Sequence, residues 1–310
     1  LSVITRSISW LVARQGDNTG DAVRGEEDAS VVHEIDGCCG GFVSPGDGVR
    51  QVGVPVDRMG GVDFELRRGE VLGIVGESGS GKSISLRAVR GLLPAGLAVS
   101  AGTIELFGYD TSHFTNAEWN NVRGSGITAV FQDPGSYLNP SIQVGKQVAE
   151  VLRVKRGLGR RAAKTEALTL LGEVRIHDPE LVFRQYPHEL SGGMLQRVLL
   201  AIAVSLEPRI LIADEATTAL DVTVQAEVLD LIVDLTERHG LSLIVVSHDL
   251  AVVAQVADEV VVFRDGVIVE RGATAKVLRD PRHKYTRLLV SEHELYGLDR
   301  FTSEVAAHVS

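Results

Sequence analysis

Cysteine is nearly missing: the 310 residues hold two, Cys38 and Cys39, side by side. A disulfide framework needs more of them and a zinc site needs spaced ligands, so the pair reads as two thiols in a reducing compartment. Aromatic residues are 5% of the chain, too few for rows of base-stacking platforms. Positive charge is also short. Against 41 Asp and Glu stand 31 Lys and Arg, a formal net charge of −10, which argues against general affinity for nucleic acid or anionic lipid. Long apolar runs are absent as well. The longest, residues 198–206, falls far below the roughly 18 residues that span a bilayer, and no basic-then-apolar secretion signal opens the sequence. The expectation is a chain that stays in the cytosol and reaches a membrane only through partners. What is present is ordinary core material, 44% hydrophobic and 23% charged residues, enough for one large domain with a subdomain and tails.

Residues 1–30 are polar and Gly-rich with little periodicity, which predicts a flexible extension. Alternation over Val62-Asp63-Phe64-Glu65-Leu66 and the continuous run Val71-Leu72-Gly73-Ile74-Val75 predict an antiparallel edge strand and then a buried parallel one. A helix is expected from Lys82 to about Leu93, stopped by Pro94. Residues 113–190 are more polar and mostly helical in pattern, as for a subdomain inserted between strands of the core. Three further apolar runs, Ile210-Leu211-Ile212-Ala213, Leu243-Ile244-Val245-Val246 and Val260-Val261-Val262-Phe263, with a helical stretch at 224–239 between the first two, predict an α/β fold with a mostly parallel sheet.

One motif carries chemistry directly. Gly76-Glu77-Ser78-Gly79-Ser80-Gly81-Lys82-Ser83 fits G-x-x-x-x-G-K-S/T at every constrained position and lies between a predicted strand and a predicted helix. Glycines let backbone N–H groups turn inward as an anion nest, and the helix start adds the positive end of its dipole. Lys82 is placed to reach the β- and γ-phosphates of a nucleotide, and Ser83 to offer its hydroxyl to Mg²⁺. The second metal contact is expected where a parallel strand ends in an acid, and Ile210-Leu211-Ile212-Ala213-Asp214-Glu215 supplies it. Asp214 would hold Mg²⁺ through its water shell, and Glu215 would orient or deprotonate the attacking water. Such an Asp-Glu strand end taken alone is more often a solvated edge; the cradle upstream is what gives it a role.

Leu190-Ser191-Gly192-Gly193-Met194-Leu195-Gln196-Arg197 resembles the LSGGQ signature of the ABC ATPases, and the other elements of that family follow in order. Gln132 in Val130-Phe131-Gln132-Asp133-Pro134 resembles the Q-loop, Ala219-Leu220-Asp221 the D-loop, and His248 in Val246-Ser247-His248-Asp249 the switch histidine. The resemblance implies a P-loop core with a mostly parallel sheet, an antiparallel β subdomain and an inserted helical subdomain. It implies an ABC ATPase domain over residues 31–290, helical at 113–190, with a C-terminal tail at 291–310. ATP and Mg²⁺ are the implied ligands. Lys82, Ser83, Asp214 and Glu215 would act in cis; Ser191, Gly192 and Gly193 would close on nucleotide held by a second ATPase subunit. Gln132 would contact Mg²⁺ and report site occupancy to the helical subdomain, and His248 would hold the γ-phosphate. Family members stack an upstream aromatic on adenine. Phe42, after a stretch at 31–35 that reads as a strand, is the candidate, with a plain hairpin hydrophobe as the other reading.

Several stretches are similar to the dipeptide, oligopeptide and nickel importer ATPases. They include Leu138-Asn139-Pro140, Gln185-Tyr186-Pro187-His188-Glu189, Thr217-Thr218-Ala219-Leu220-Asp221-Val222-Thr223-Val224-Gln225, and Asp280-Pro281-Arg282-His283-Lys284-Tyr285-Thr286-Arg287-Leu288-Leu289. The implied setting is the cytoplasmic face of a membrane, with a second ATPase subunit of the same or a different kind. Two permease subunits and, indirectly, an extracytoplasmic solute-binding protein complete it; nucleic acid has no place there. Peptide is the implied cargo, with nickel or another small solute as the alternative. A soluble ABC ATPase acting on nucleic acid or ribosomes is the rival machine, disfavoured by the acidic balance and by the single set of motifs. The chain departs from the family pattern at Ala216, where Pro is usual, at Leu195, where Arg is usual, and at Gly135-Ser136-Tyr137. Some relatives bind an iron–sulfur centre through C-terminal cysteines, which residues after Cys39 here cannot do.

Overall fold

The computed structural model describes residues 2–4, 11–14, 62–216 and 221–294; Phe42 and residues 217–220 lie outside them. Within the stretch read from sequence as an extension, β1 (Ser2–Ile4) pairs antiparallel with β3 (Leu66–Arg67), and β2 (Leu11–Arg14) pairs antiparallel with β5 (Leu97–Ala101). The alternation at 62–66 is therefore met by a separate antiparallel pair, outside the main sheet.

The main sheet is built from β4 (Val71–Val75), β8 (Ile127–Phe131), β9 (Ile210–Asp214), β10 (Ser242–Ser247), β11 (Glu259–Arg264) and β12 (Val267–Ala273). Between β5 and β8 lies a short hairpin, β6 (Glu105–Leu106) with β7 (Tyr109–Asp110). Spatial order in the main sheet is β12-β11-β4-β10-β9-β8, all parallel except the β11–β12 hairpin. Side chains alternate between faces along each strand, and the core divides accordingly. Val75, Leu211, Ala213, Leu243, Val245, Val260 and Val262 enter one buried cluster. Leu72, Ile74, Ile210, Ile212, Ile244, Val246, Val261 and Phe263 enter the other. Both faces being covered explains why these strands read as unbroken apolar runs.

The second cluster is closed by α1 (Lys82–Val89), through Leu86, Ala88 and Val89, and by Val62, Phe64, Leu66, Ile104 and Leu106 of the antiparallel region. Helix α1 stops four residues before the expected Leu93. Gly91 takes φ 64°, and the Leu92 N–H bonds back to the Arg87 carbonyl, so the C-terminal cap is a glycine motif. A short helix α2 (Asn116–Val122) follows, opened by a reciprocal capping box between Thr115 and Glu118.

The first cluster is covered by α3 (Val144–Arg156), α4 (Arg160–Glu173), α5 (Pro179–Arg184), α6 (Gly192–Val204) and α7 (Val222–His239), and beyond β10 by α8 (Leu250–Ala254), α9 (Thr274–Arg279) and α10 (Lys284–Glu294). Strand β8 lies inside the range 113–190 yet joins the core sheet, so the helical insertion proper is α3–α5. Helix α10 runs past the 290 boundary to Glu294. Helices α3 and α5 meet closely at Gly145, where an added Cβ would stand 2.1 Å from the Phe183 ring and 2.7 Å from its Cα. Gly145→Ala should cost about 1–3 kcal/mol by overpacking, read as a lowered urea midpoint with unchanged slope.

Candidate active site

Register brings the sequence-predicted residues to one edge. Phe131 pairs with Asp214, Asp214 with Val246, and Ser247 with Val75. The next residues along the chain, Gln132, Glu215, His248 and Gly76, therefore leave the carboxyl ends of four neighbouring parallel strands, where open α/β sheets bind ligands.

The loop from Gly76 to Gly81 turns through positive φ at Gly76 (152°), Gly79 (82°) and Gly81 (104°). At Gly76 the need for glycine is steric too: a Cβ would lie 2.2 Å from the Phe263 carbonyl oxygen. The β11–β12 turn supports the loop again through Gly266 N–H, which donates to the Ser80 carbonyl (3.0 Å). Glu77, Ser78, Gly79 and Ser80 line a cavity of about 80 Å³ with Arg264 and Asp265. Lys82, 4% exposed, donates through Nζ to the carbonyls of Gly76 (2.6 Å) and Glu77 (2.9 Å). Burial lowers the Lys82 pKa from its ordinary value, opposed by the carboxylates of Glu215, Asp214 and Glu77. An ammonium desolvated inside a glycine loop is poised to gain from an incoming anion.

Ser83 Oγ donates to Asp214 Oδ1 (3.4 Å). Burial raises the Asp214 pKa; the Ser83 hydrogen bond and the Lys82 and Arg90 charges pull it down, while Glu215 pushes it up. The Ser83 hydroxyl and the Asp214 carboxylate are hard oxygen donors of the kind Mg²⁺ takes, and Gln132 follows the residue paired with Asp214 at the same sheet edge. Glu215 stands in the left-handed region (φ 49°) and donates its N–H to the Val246 carbonyl (3.0 Å). Its Oε1 lies 3.8 Å from His248 Nδ1, and the His248 side chain is half exposed. A carboxylate at the mouth of the cradle, turned out of the strand by a strained backbone and faced by an imidazole, is suited to holding a water.

Arg90 was not singled out by its position in the sequence. It is half-buried and its charge acts on Asp214, its guanidinium lies 4.9 Å from the centroid of the Phe131 ring, and desolvation lowers its pKa to about 10. Tyr285 belongs in sequence only to a stretch similar to the importer ATPases, yet its hydroxyl accepts the Glu77 N–H (3.0 Å). A lone arginine or tyrosine carries no local signal for such a contact; in Tyr285 the signal was the motif around it.

Ser191 N-caps α6, its Oγ accepting the Met194 N–H (3.4 Å), and both Ser191 and Gly192 are exposed. Gly193 sits close under Val224, where a Cβ would stand 2.7 Å from Cγ1, so the signature turn packs on the start of α7. Arg197 ties the two helices by an ion pair to Glu227 (2.8 Å). Leu195, where Arg is usual, packs against the core, and Ala216 is buried in it. Among the described residues no helix is long and apolar enough to cross a membrane.

Residues 59–218 match the family model described as ABC transporter. The chain is 48% identical over 235 residues to the oligopeptide transport ATP-binding protein OppD of Bacillus subtilis, covering 76% of this chain and 66% of that one, just under two thirds of the relative. It is 42% identical over 245 residues to the dipeptide transport ATP-binding protein DppD of Escherichia coli, covering 79% and 74%. Among solved structures it is similar to cbiO1 from Clostridium perfringens, described as part of the ABC transporter complex cbiONQ (TM-score 0.65, 25% identity, 81% of this chain and 93% of that one). It is also similar to the dimeric ATP-binding cassette MJ0796 bound to ADP and Pi (TM-score 0.61, 27% identity, 70% and 90%). Motif order, sheet topology and these matches agree: the chain belongs to the ABC transporter family, on its ATP-binding side.

Proposed function

We propose that the chain is the ATP-hydrolysing subunit of a membrane importer for peptides. The observation that carries the chemistry is the convergence of Lys82, Ser83, Asp214, Glu215 and His248 at one sheet edge around a glycine loop. In this reading the amides of Gly76–Ser83 and the Lys82 ammonium bind the phosphate tail of ATP. Ser83, Asp214 and Gln132 hold Mg²⁺, which when bound neutralises charge on the β- and γ-phosphate oxygens. Glu215 takes the proton of the attacking water, and His248 steadies both that carboxylate and the γ-phosphate.

Ser191, Gly192 and Gly193 are exposed or half-buried at a helix start, a surface suited to closing on the phosphates of a second ATPase subunit packed head to tail. The dimeric state of the similar cassette MJ0796 supports that arrangement. A groove of about 750 Å³ beside β8, lined by Phe131, Tyr137, Leu138, Ile142, Val151 and Leu199, is the seat for a cytoplasmic helix of the permease. It adjoins Gln132, so site occupancy and permease contact share one strand end. Two permease subunits and an extracytoplasmic solute-binding protein complete the machine, and the chain works at the cytoplasmic face of the membrane.

Peptide is the cargo favoured by the relatives OppD and DppD. Cells deleted for this chain should lose uptake of labelled peptides and regain it with the wild-type chain but not with Glu215→Gln. Unimpaired peptide uptake in the deletion strain would remove the peptide assignment.

A further inference from the structure

The phosphate loop is held from a direction the chemistry above does not use. Tyr285 lies 1% exposed near the start of α10, a helix that also buries Leu289 and Val290. Its hydroxyl accepts the Glu77 N–H at 3.0 Å. The other side of the same residue is held as well: the Glu77 carbonyl takes Lys82 Nζ (2.9 Å) and the Ser80 N–H (3.2 Å). Tyr285 in turn is held by Arg264 and His283, and the segment before it is pinned by Glu270. The Arg264 guanidinium lies 4.8 Å from the centroid of its ring, and Arg264 belongs to the hairpin whose Gly266 donates to the Ser80 carbonyl. The Tyr285 N–H bonds His283 Nδ1 (3.2 Å). The Glu270 carboxylate of β12 accepts the N–H groups of Arg282 (2.8 Å) and His283 (2.9 Å), pinning the segment that leads into α10.

We propose that Tyr285 is a positioning residue for the phosphate loop: its hydroxyl fixes the Glu77 peptide so that the following amides face the phosphates. A loop whose first peptide is free to rotate spreads its N–H groups over many directions, and binding must then supply the ordering. The hydroxyl removes that freedom before the nucleotide arrives. It also couples the C-terminal helix to the nucleotide, because a shift of α10 moves the Glu77 amide. Burial raises the Tyr285 pKa, and the Glu77 carboxylate beside it acts in the same direction, so the hydroxyl stays protonated and neutral at working pH. This inference rests on the cradle reading given above and adds a residue outside the glycine motif to it.

Tyr285→Phe in the full-length chain keeps the ring, the stacking of Arg264 and the packing of α10, and deletes only the hydroxyl. MgATP and MgADP should both bind about three- to tenfold more weakly, the worth of one hydrogen bond to a buried amide. kcat should stay within about twofold while KM rises, and hydrogen exchange should quicken at the amides of residues 76–80. In the wild-type chain without nucleotide, the Glu77 amide should already be protected. A variant that binds both nucleotides as tightly as wild type, with unchanged exchange at 76–80, overturns the proposal. So does a Glu77 amide that exchanges freely in the wild type, a measurement that stands even if the variant folds poorly. A wild-type chain that binds no nucleotide at all would remove the cradle reading together with this inference, whereas equal binding by wild type and variant removes the inference alone.

Discussion

Glu215→Gln is expected to leave MgATP bound and to cut turnover by about a hundredfold or more, the usual worth of a positioned general base. The substitution keeps length and shape, so the backbone at φ 49° and its N–H bond to Val246 are undisturbed. What goes is the only property that Gln lacks, a charge able to draw and accept a proton. The Glu215 carboxylate also works against its neighbour, since it raises the Asp214 pKa. Removing it eases the crowding of acids around the metal position, so affinity for MgATP should hold or improve. The variant should therefore collect as an ATP-bound dimer, seen by sedimentation alongside phosphate release. Phosphate release at the wild-type rate would take the role away from Glu215.

Lys82→Ala acts on binding itself. The ammonium is buried, and it alone among the described residues donates a side-chain charge to the carbonyls of Gly76 and Glu77. Without it the Gly76 carbonyl loses the ammonium, the Glu77 carbonyl keeps only the Ser80 N–H, and the carboxylates of Asp214 and Glu215 face the incoming phosphates uncompensated. Truncating one member of a buried charge pair costs about 2–5 kcal/mol, or roughly thirtyfold and upward in affinity. Titration with MgATP should show that loss, with hydrolysis falling in step. Unchanged affinity would mean that the ammonium points at the loop carbonyls and nowhere else.

The parts of this molecule that were legible in its sequence are those whose physics is local. Strands β4, β9, β10 and β11 are buried on both faces, which leaves unbroken apolar runs at 71–75, 210–213, 243–246 and 260–263. The glycine loop is legible because positive φ, an anion nest and a helix start all demand particular residue types within eight positions. Legibility fades where a partner strand or helix is distant. Among the described residues strand β8 has a single neighbour in the sheet, and its sequence Ile-Thr-Ala-Val-Phe sits among polar helical stretches, so it reads as part of the inserted subdomain. Strands β1 and β2 are short and set in Gly-rich surroundings, and their pairing with 66–67 and 97–101 leaves no local trace. The end of α1 is legible at Gly91, which marks the cap three residues ahead of the helix-stopping Pro94. The Tyr285–Glu77 bond spans 208 residues, and no periodicity reports a contact of that range.

The central claim is that the loop around Gly79 and Lys82 grips phosphates, and a competition titration tests it most directly. With Mg²⁺ present, ATP and ADP should displace a fluorescent ATP analogue from the full-length chain, and AMP should do so at least about tenfold less well, because the cradle's amides and Lys82 address the β- and γ-phosphates. AMP competing as well as ATP, or no saturable binding of the analogue, would contradict the account.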